Sequence, residues 1–371
     1  MTPTRYRADV VGSMLRPQSL LDAFAGVLGG AKIGPSQLKP LEDAAVDECL
    51  AIQERAGLDV VTDGEMRRQS FLASLTETVD GISPVDRAGH GVAMHWHGTD
   101  GEIEYVPPVV ITDRLKRRRS LSVEEFAYAR GKTSSPIKVT LPSPMMLSSF
   151  WVPGISDQAY SDAFEAFRDG AQILRLEIRE LWEIGCTYVQ IDAPELATHV
   201  LNDAQRERWK SVGVDPDRLL REGVEILDSL AAECPDMYFS LHVCRGNLDG
   251  MWLASGGYEP ISRAVFPSVP HFDALALEYD SDRSGGFEPL ARVPDDKVVI
   301  LGLVSTKSDA LEDPQQVRRR ITDASTYFPR DQLALSTQCG FASAASGNPI
   351  SWPMQERKLK LVADIAHESL G

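Results

Sequence analysis

Eight short apolar runs recur along the chain, each followed by a polar or glycine-containing turn and then, in most cases, by a stretch of helical period. They are "ADVVGS" (8–13), "LDVVTDG" (58–64), "PIKVTLPS" (136–143), "TYVQIDAP" (187–194), "YFSLHVC" (238–244), "DALALEYD" (273–280), "KVVILGLVS" (297–305) and "QLALSTQC" (332–339). Several are rich in Val, Ile and Leu without strict alternation, the pattern of parallel strands buried on both faces. Between them, "ISDQAYSDAFEAFRDGAQILRLEIRELWEIG" (155–185) is the clearest helix. Tyr160, Phe164, Phe167, Ile173, Leu176 and Leu181 fall near a 3.6 period, Ser156 and Asp157 are cap candidates, and Gly185 ends it.

Eight β-α units predict an α/β protein, a (β/α)8 TIM barrel, as one domain over 1–371. Residues 80–135 are too long for one crossover, and "GVAMHWHGTDGEIEYVPPVVIT" alternates and turns as a β-hairpin does. The expectation is a hairpin excursion between strands two and three. An open doubly wound sheet is the alternative. It would more often carry a glycine-rich phosphate loop after its first strand, and "VVGSMLRP" has none.

The length of 371 residues suits one large barrel, and 43% hydrophobic residues supply its core. A formal net charge of −16 argues against nucleic acid and anionic membrane as partners, because phosphate would be repelled. The basic run Lys116–Arg119 reads as a solvated face. Five scattered cysteines, Cys49, Cys186, Cys234, Cys244 and Cys339, do not form a disulfide framework. With no apolar leader at the N-terminus, the expectation is a reduced, cytoplasmic protein.

In such a barrel the C-terminal ends of the strands meet at one mouth. Reading those ends gives Ser13, Glu65, Asp192, His242, Cys244, Glu278, Ser305 and Cys339. Zinc takes sulfur, imidazole nitrogen and carboxylate oxygen in four-coordinate sites, and barrel closure lets strands five, six and eight converge on one ion. The H-x-C pair alone is weak, a buried core His and Cys being the plainer reading; Cys339 at another strand tip, followed by Gly340, strengthens the zinc reading. "MHWHG" (94–98) puts His95 and His97 on one strand face, where surface histidines of a hairpin are the plainer reading. Arg16, Arg67, Arg68 and Arg245 lie near strand ends and suit either substrate anions or ordinary ion pairs.

The set "HVC" (242–244), "LEYD" (277–280) and "QCGF" (338–341) resembles the zinc-ligand pattern in the catalytic barrel of the cobalamin-independent methionine synthase family. "VGS" (11–13), "DGE" (63–65) and "QIDAPELA" (190–197) are similar to its first-, second- and fourth-strand motifs, and the likeness is to the family's short single-barrel relatives. The resemblance implies a zinc-dependent thiol S-methyltransferase with His242, Cys244, Glu278 and Cys339 as metal ligands. It implies that Glu65 and Asp192 hold the ammonium group of homocysteine and that Ser13 meets its carboxylate. Lys307 falls nearest the place where the family keeps a proton-shuttling His, which makes it a catalytic candidate. "TLPSPMM" (140–146) has Pro where the family has a folate-stacking Trp, so the methyl donor stays open among folate, a corrinoid protein and another small molecule. The partners implied are thus a small thiol and a methyl donor, with a homo-oligomer left open. The alternatives are a zinc-dependent thiol alkyltransferase of the epoxyalkane:coenzyme M transferase type, and a non-catalytic amino-acid or metal-binding barrel.

Overall fold

The computed structural model describes residues 6–28, 34–84, 92–99 and 101–370. Its strands are β1 (Val79–Pro84), β2 (Met94–Gly98), β3 (Gly101–Tyr105), β4 (Val109–Arg117), β5 (Lys138–Pro142), β6 (Tyr188–Asp192), β7 (Tyr238–Val243), β8 (Ala274–Glu278), β9 (Val298–Val304) and β10 (Leu333–Thr337). β5 to β10 form a six-stranded parallel sheet in sequential order.

All six strands are buried, yet their two faces differ chemically. On one face Val139, Leu141, Val189, Ile191, Phe239, Leu241, Leu275 and Leu277 join the main core with the surrounding helices. On the other, β8 to β10 present the small cluster Ala274, Ala276, Val298, Ile300 and Ala334. Buried polar side chains alternate with core residues along β5 to β7: Lys138 and Thr140, then Gln190 and Asp192, then Ser240 and His242. Positions two apart share a face in a strand. A continuous polar column therefore runs up the inner side of three neighbouring strands.

The first two expected strands do not form full ladders. Single parallel bridges link Ala8 to Leu335 and Val61 to Ile137, and Asp59 N–H donates to Ala8 O at 3.0 Å. Side chains take the place of ladder partners. Asp59 Oδ2 accepts from the N–H groups of Arg7 and Ala8, Asp9 Oδ1 from Val10, and Gln53 Oε1 from Thr62. Several backbone donors of both segments are thereby satisfied without extended pairing.

The long helix spans Ala163–Glu183 and starts later than the sequence pattern suggests. Its cap is Asp162, whose Oδ1 accepts from Glu165 N–H at 3.0 Å. Ser156 and Asp157 instead accept from Val152 and Gly154 and hold a separate 3-10 turn. Leu176, expected on the apolar face, is exposed.

Within 80–135, β1 and β4 pair antiparallel, as do β2 and β3. The β2–β3 hairpin is amphipathic: His95 and His97 face Glu104 and Glu102 on one side, while Met94, Trp96 and Tyr105 share the other. His97 and Trp252 exchange backbone hydrogen bonds of 2.8 and 2.9 Å, which fastens the hairpin to the loop after β7. The basic run pairs locally, Arg117 with Glu177 and Glu180, Arg118 with Asp80, and Arg119 with Glu77.

Candidate active site

His242 lies near the end of β7, and the register sets it beside Asp192 at the end of β6. Its Nδ1 is 3.3 Å from Ala276 O, and its Nε2 is buried without a hydrogen-bond partner. Imidazole ligands commonly donate one ring N–H to a carbonyl and leave the other nitrogen for a metal. Cys244 and Cys339 complete a group: one ligand atom from each of the three residues lies within 4.8 Å of the others, and all three are buried. Cys339 sits well below its ordinary thiol range, because the Cys244 thiol donates to it and the His242 ring stands alongside. Two thiols and an orphaned imidazole nitrogen form a donor set suited to zinc.

Glu278 is fully buried at the end of β8 but is not in that group. Its Oε2 accepts from Arg245 N–H at 2.6 Å and its Oε1 from Arg283. Burial alone would raise its pKa, yet Arg283, Arg245 and Lys307 together hold it below the ordinary carboxylate value. Of the four expected ligands, three are therefore brought together, with the fourth engaged by arginines close behind them.

Glu65, Asp192 and Ser13 line the same cavity as this triad, about 490 Å³ in volume. Glu65 follows Gly64 in a left-handed turn, with φ of +55° where a non-glycine residue is strained. Its Oε1 accepts from Thr140 Oγ1 at 2.9 Å, and its Oε2 is buried without a partner. Asp192 Oδ1 accepts from Gln190 Nε2 at 2.7 Å. Burial pushes Asp192 up to about 7, with His242 opposing and the charge of Glu65 adding to the rise. Burial likewise raises Glu65 against the pull of Arg68. Both carboxyls are thus desolvated on one cavity wall, where burial disfavours their anions. Ser13 is held at the wall by the last loop: Phe341 N–H donates to its carbonyl at 2.8 Å, and a Cβ on Gly340 would lie 2.0 Å from its Oγ.

Lys307 is not on the cavity wall. Its ammonium donates to Gly246 O, Asn247 Oδ1 and Met251 O at 3.0–3.1 Å, so all three of its protons are engaged. Asn247 passes the tether on, donating to Gly340 O and Ser343 Oγ. The loops that follow Cys244 and Cys339 are thereby tied together. The four arginines are also engaged: Arg16 with the carbonyls of Glu65, Arg68 and Ala342, Arg67 with Glu42 and Asp43, Arg68 with Glu125, and Arg245 with Gly256 O and Tyr258. Cys49, Cys186 and Cys234 are buried and unpaired.

Sequence reasoning did not find the outer wall. Trp96, Phe150 and Trp209 line the cavity, with Trp209 stacked on His199 at 3.8 Å between ring centroids. Trp96 stood between the two histidines of "MHWHG", and strand alternation alone assigns it the opposite face.

Residues 29–367 match the family described as the catalytic domain of cobalamin-independent synthase. The chain belongs to this family. It is 35% identical to the Bacillus subtilis protein YxjH over 98% of this chain and 94% of that one. It is 24% identical to the methionine synthase of Pyrococcus abyssi, over 90% and 85% respectively. A B12-independent methionine synthase from a Shewanella species, solved in complex with selenomethionine, superposes with a TM-score of 0.74 at 20% identity over 98% of both chains. That likeness establishes a shared fold, and family membership supports a methyltransferase.

Proposed function

We propose that the chain is a zinc-dependent S-methyltransferase acting on a small amino-thiol, most simply homocysteine. The observation that carries this reading is a single cavity with two unlike anchors. One is the buried group His242, Cys244 and Cys339 with its unpartnered Nε2; the other is the carboxyl pair Glu65 and Asp192. The ring of hydrogen bonds from β10 through residues 7–9 and 59–61 to the start of β5 supports a closed (β/α)8 barrel. On this reading 1–371 is one catalytic domain, with the region at about 80–135 inserted as a hairpin excursion.

His242, Cys244 and Cys339 would hold zinc, with Glu278 as the fourth ligand if it leaves an arginine. Bound zinc would lower the pKa of the acceptor thiol so that thiolate exists at neutral pH. Glu65 and Asp192 would grip the ammonium group while Ser13 meets the carboxylate, fixing the sulfur in one orientation. The acceptor's proton would leave to solvent, the thiolate would attack the donor methyl carbon in line, and the bond from methyl to the donor would break with its electron pair staying on the donor. Lys307 would act from behind the site by holding the loop after β7. The carboxyl pair favours an ammonium-bearing thiol over coenzyme M, whose sulfonate it would repel.

The test measures homocysteine binding and methyl transfer on zinc-replete protein. Transfer to homocysteine but not to its des-amino analogue is expected. Equal use of both thiols would overturn the amino-thiol assignment.

A further inference from the structure

Glu278 is the one expected ligand that stands apart from the group of His242, Cys244 and Cys339. It is fully buried at the tip of β8, where an unpaired carboxylate would be costly. Three cationic side chains face it: Arg283, Arg245 and Lys307. Two of them are committed elsewhere. The Arg245 guanidinium donates to Gly256 O, Tyr258 Oη, Glu278 O and Ser284 O, and only its backbone N–H reaches the carboxylate. The Lys307 ammonium is held by the loop after β7. Among the described residues, Arg283 alone donates from its side chain to the Glu278 carboxylate, through Nη2 to Oε1.

Arg283 has a second seat. The same Nη2 lies 3.4 Å from Asp280 Oδ1, and the two side chains are only 12% and 4% exposed, so water screens neither. Asp280 is itself fixed, its Oδ2 accepting from Ser305 Oγ at 2.8 Å. The remaining contacts of Arg283 do not involve Glu278. Nη1 lies 3.4 Å from Ala254 O, the guanidinium stands 5.2 Å from the Trp252 ring centroid, and Arg283 O accepts from Gly256 N–H at 3.0 Å. A guanidinium can move its donors between neighbouring acceptors while keeping its charge. Turning toward Asp280 would free Glu278 Oε1 and leave no buried cation unpaired.

We infer that Arg283 is a positioning residue that contests Glu278 with the metal, and that Asp280 is the seat it takes when Glu278 turns to the metal. This rests on the zinc reading above. Two effects carry the same sign. The hydrogen bond from Arg283 occupies a ligand oxygen, and its positive charge repels a dication brought beside it. The pairing also works in reverse. A fully buried carboxylate that leaves a metal needs another cation, and Arg283 supplies one. Glu278 is therefore a weaker and more easily released ligand than the two thiols and the imidazole. Ordinary partners behind a metal ligand raise metal affinity, and losing one costs roughly 10–100-fold. Arg283 acts in the opposite direction.

The experiment measures the zinc affinity of the full chain by competition with a chromophoric chelator, without substrate, and checks folding by circular dichroism. Arg283→Met should bind zinc roughly ten-fold more tightly than the parent chain. In a Glu278→Gln background no carboxylate is contested, and Arg283→Met should change the affinity by less than about two-fold. Asp280→Asn should weaken zinc binding by removing the second seat, and adding Arg283→Met should abolish that loss. Arg283→Lys keeps the charge without the fork and should fall between the parent and Arg283→Met; it carries the test if Arg283→Met does not fold. A merely structural role for Arg283 would lower zinc affinity in both backgrounds and overturn the inference, as would an equal rise in both. If the parent chain binds zinc and neither Arg283 variant binds it more tightly, the inference fails and the proposed function stands. If the parent chain binds no zinc, the proposed function fails, and the inference with it.

Discussion

Gln190 Nε2 donates to Asp192 Oδ1 at 2.7 Å from two positions earlier on the same strand, and the direction of that bond is set by Lys138. Lys138 Nζ can only donate and lies 2.8 Å from Gln190 Oε1, so the amide cannot be reversed. Asp9 holds the ammonium in turn at 2.7 Å. The buried ion pair at the base of the column thus aims an N–H at the carboxyl at its top. Gln190→Met should remove a bond that favours the anion of Asp192. The acidic limb of homocysteine binding, measured by calorimetry across pH, is expected to move upward by about one unit.

Zinc content follows from the triad. Metal-replete protein should carry one zinc per chain by elemental analysis. Cys244→Ser combined with Cys339→Ser should bring it below about half an equivalent, because thiolates supply the preference for zinc.

Glu65→Gln and Asp192→Asn should each weaken homocysteine binding by about 1.5–3 kcal/mol, the scale of a hydrogen bond to a charged group. Zinc content should remain unchanged in both. Parallel calorimetry and elemental analysis separate the two effects.

Lys307→Met should loosen the loop after β7 without changing the limbs of the activity–pH profile. Faster amide hydrogen exchange at residues 246–251 is the expected signature of a tether. Loss of one limb of the profile would instead mark Lys307 as a proton carrier.

Glu195 gives a stability prediction. It is fully buried, with Ser143 Oγ donating to Oε1 and nothing on Oε2, and burial pushes its carboxyl up to about 8. The folded state therefore holds a proton that the unfolded chain has lost. That contribution is complete below the unfolded carboxyl value of about 4.5 and is lost as pH rises through about 8. Melting temperature should fall between about pH 4.5 and pH 8, and less steeply in Glu195→Gln.

The parallel sheet was legible because burial on both faces leaves long Val, Ile and Leu runs such as Val298–Val304. His242, Cys244 and Cys339 were legible because alternation puts the first two on one face and strand ends converge. Glu278 looked equivalent to them in sequence, but pairing with Arg283 depends on a loop geometry that spacing does not encode. The same holds for Lys307, whose acceptors are mostly backbone carbonyls and carry no residue signature. Residues 8–13 and 58–64 read as ordinary strands because the side chains that replace their ladder partners, Asp59 and Gln53, are set by tertiary placement. The outer wall was hidden because Trp96 and Trp209 come from separate connections that no single period unites.

The hairpin fastened through His97 and Trp252 has a modular consequence. It joins the loop after β7 through backbone groups, so side chains such as His95 and Glu104 can vary without breaking those bonds, whereas Gly98 cannot, because a Cβ there would lie 2.8 Å from Met251 Cγ. Residues 94–105 can therefore be exchanged as one cassette between relatives. Such chimaeras would exchange the aromatic roof of the cavity while leaving Glu65, Asp192 and the group of His242, Cys244 and Cys339 in place.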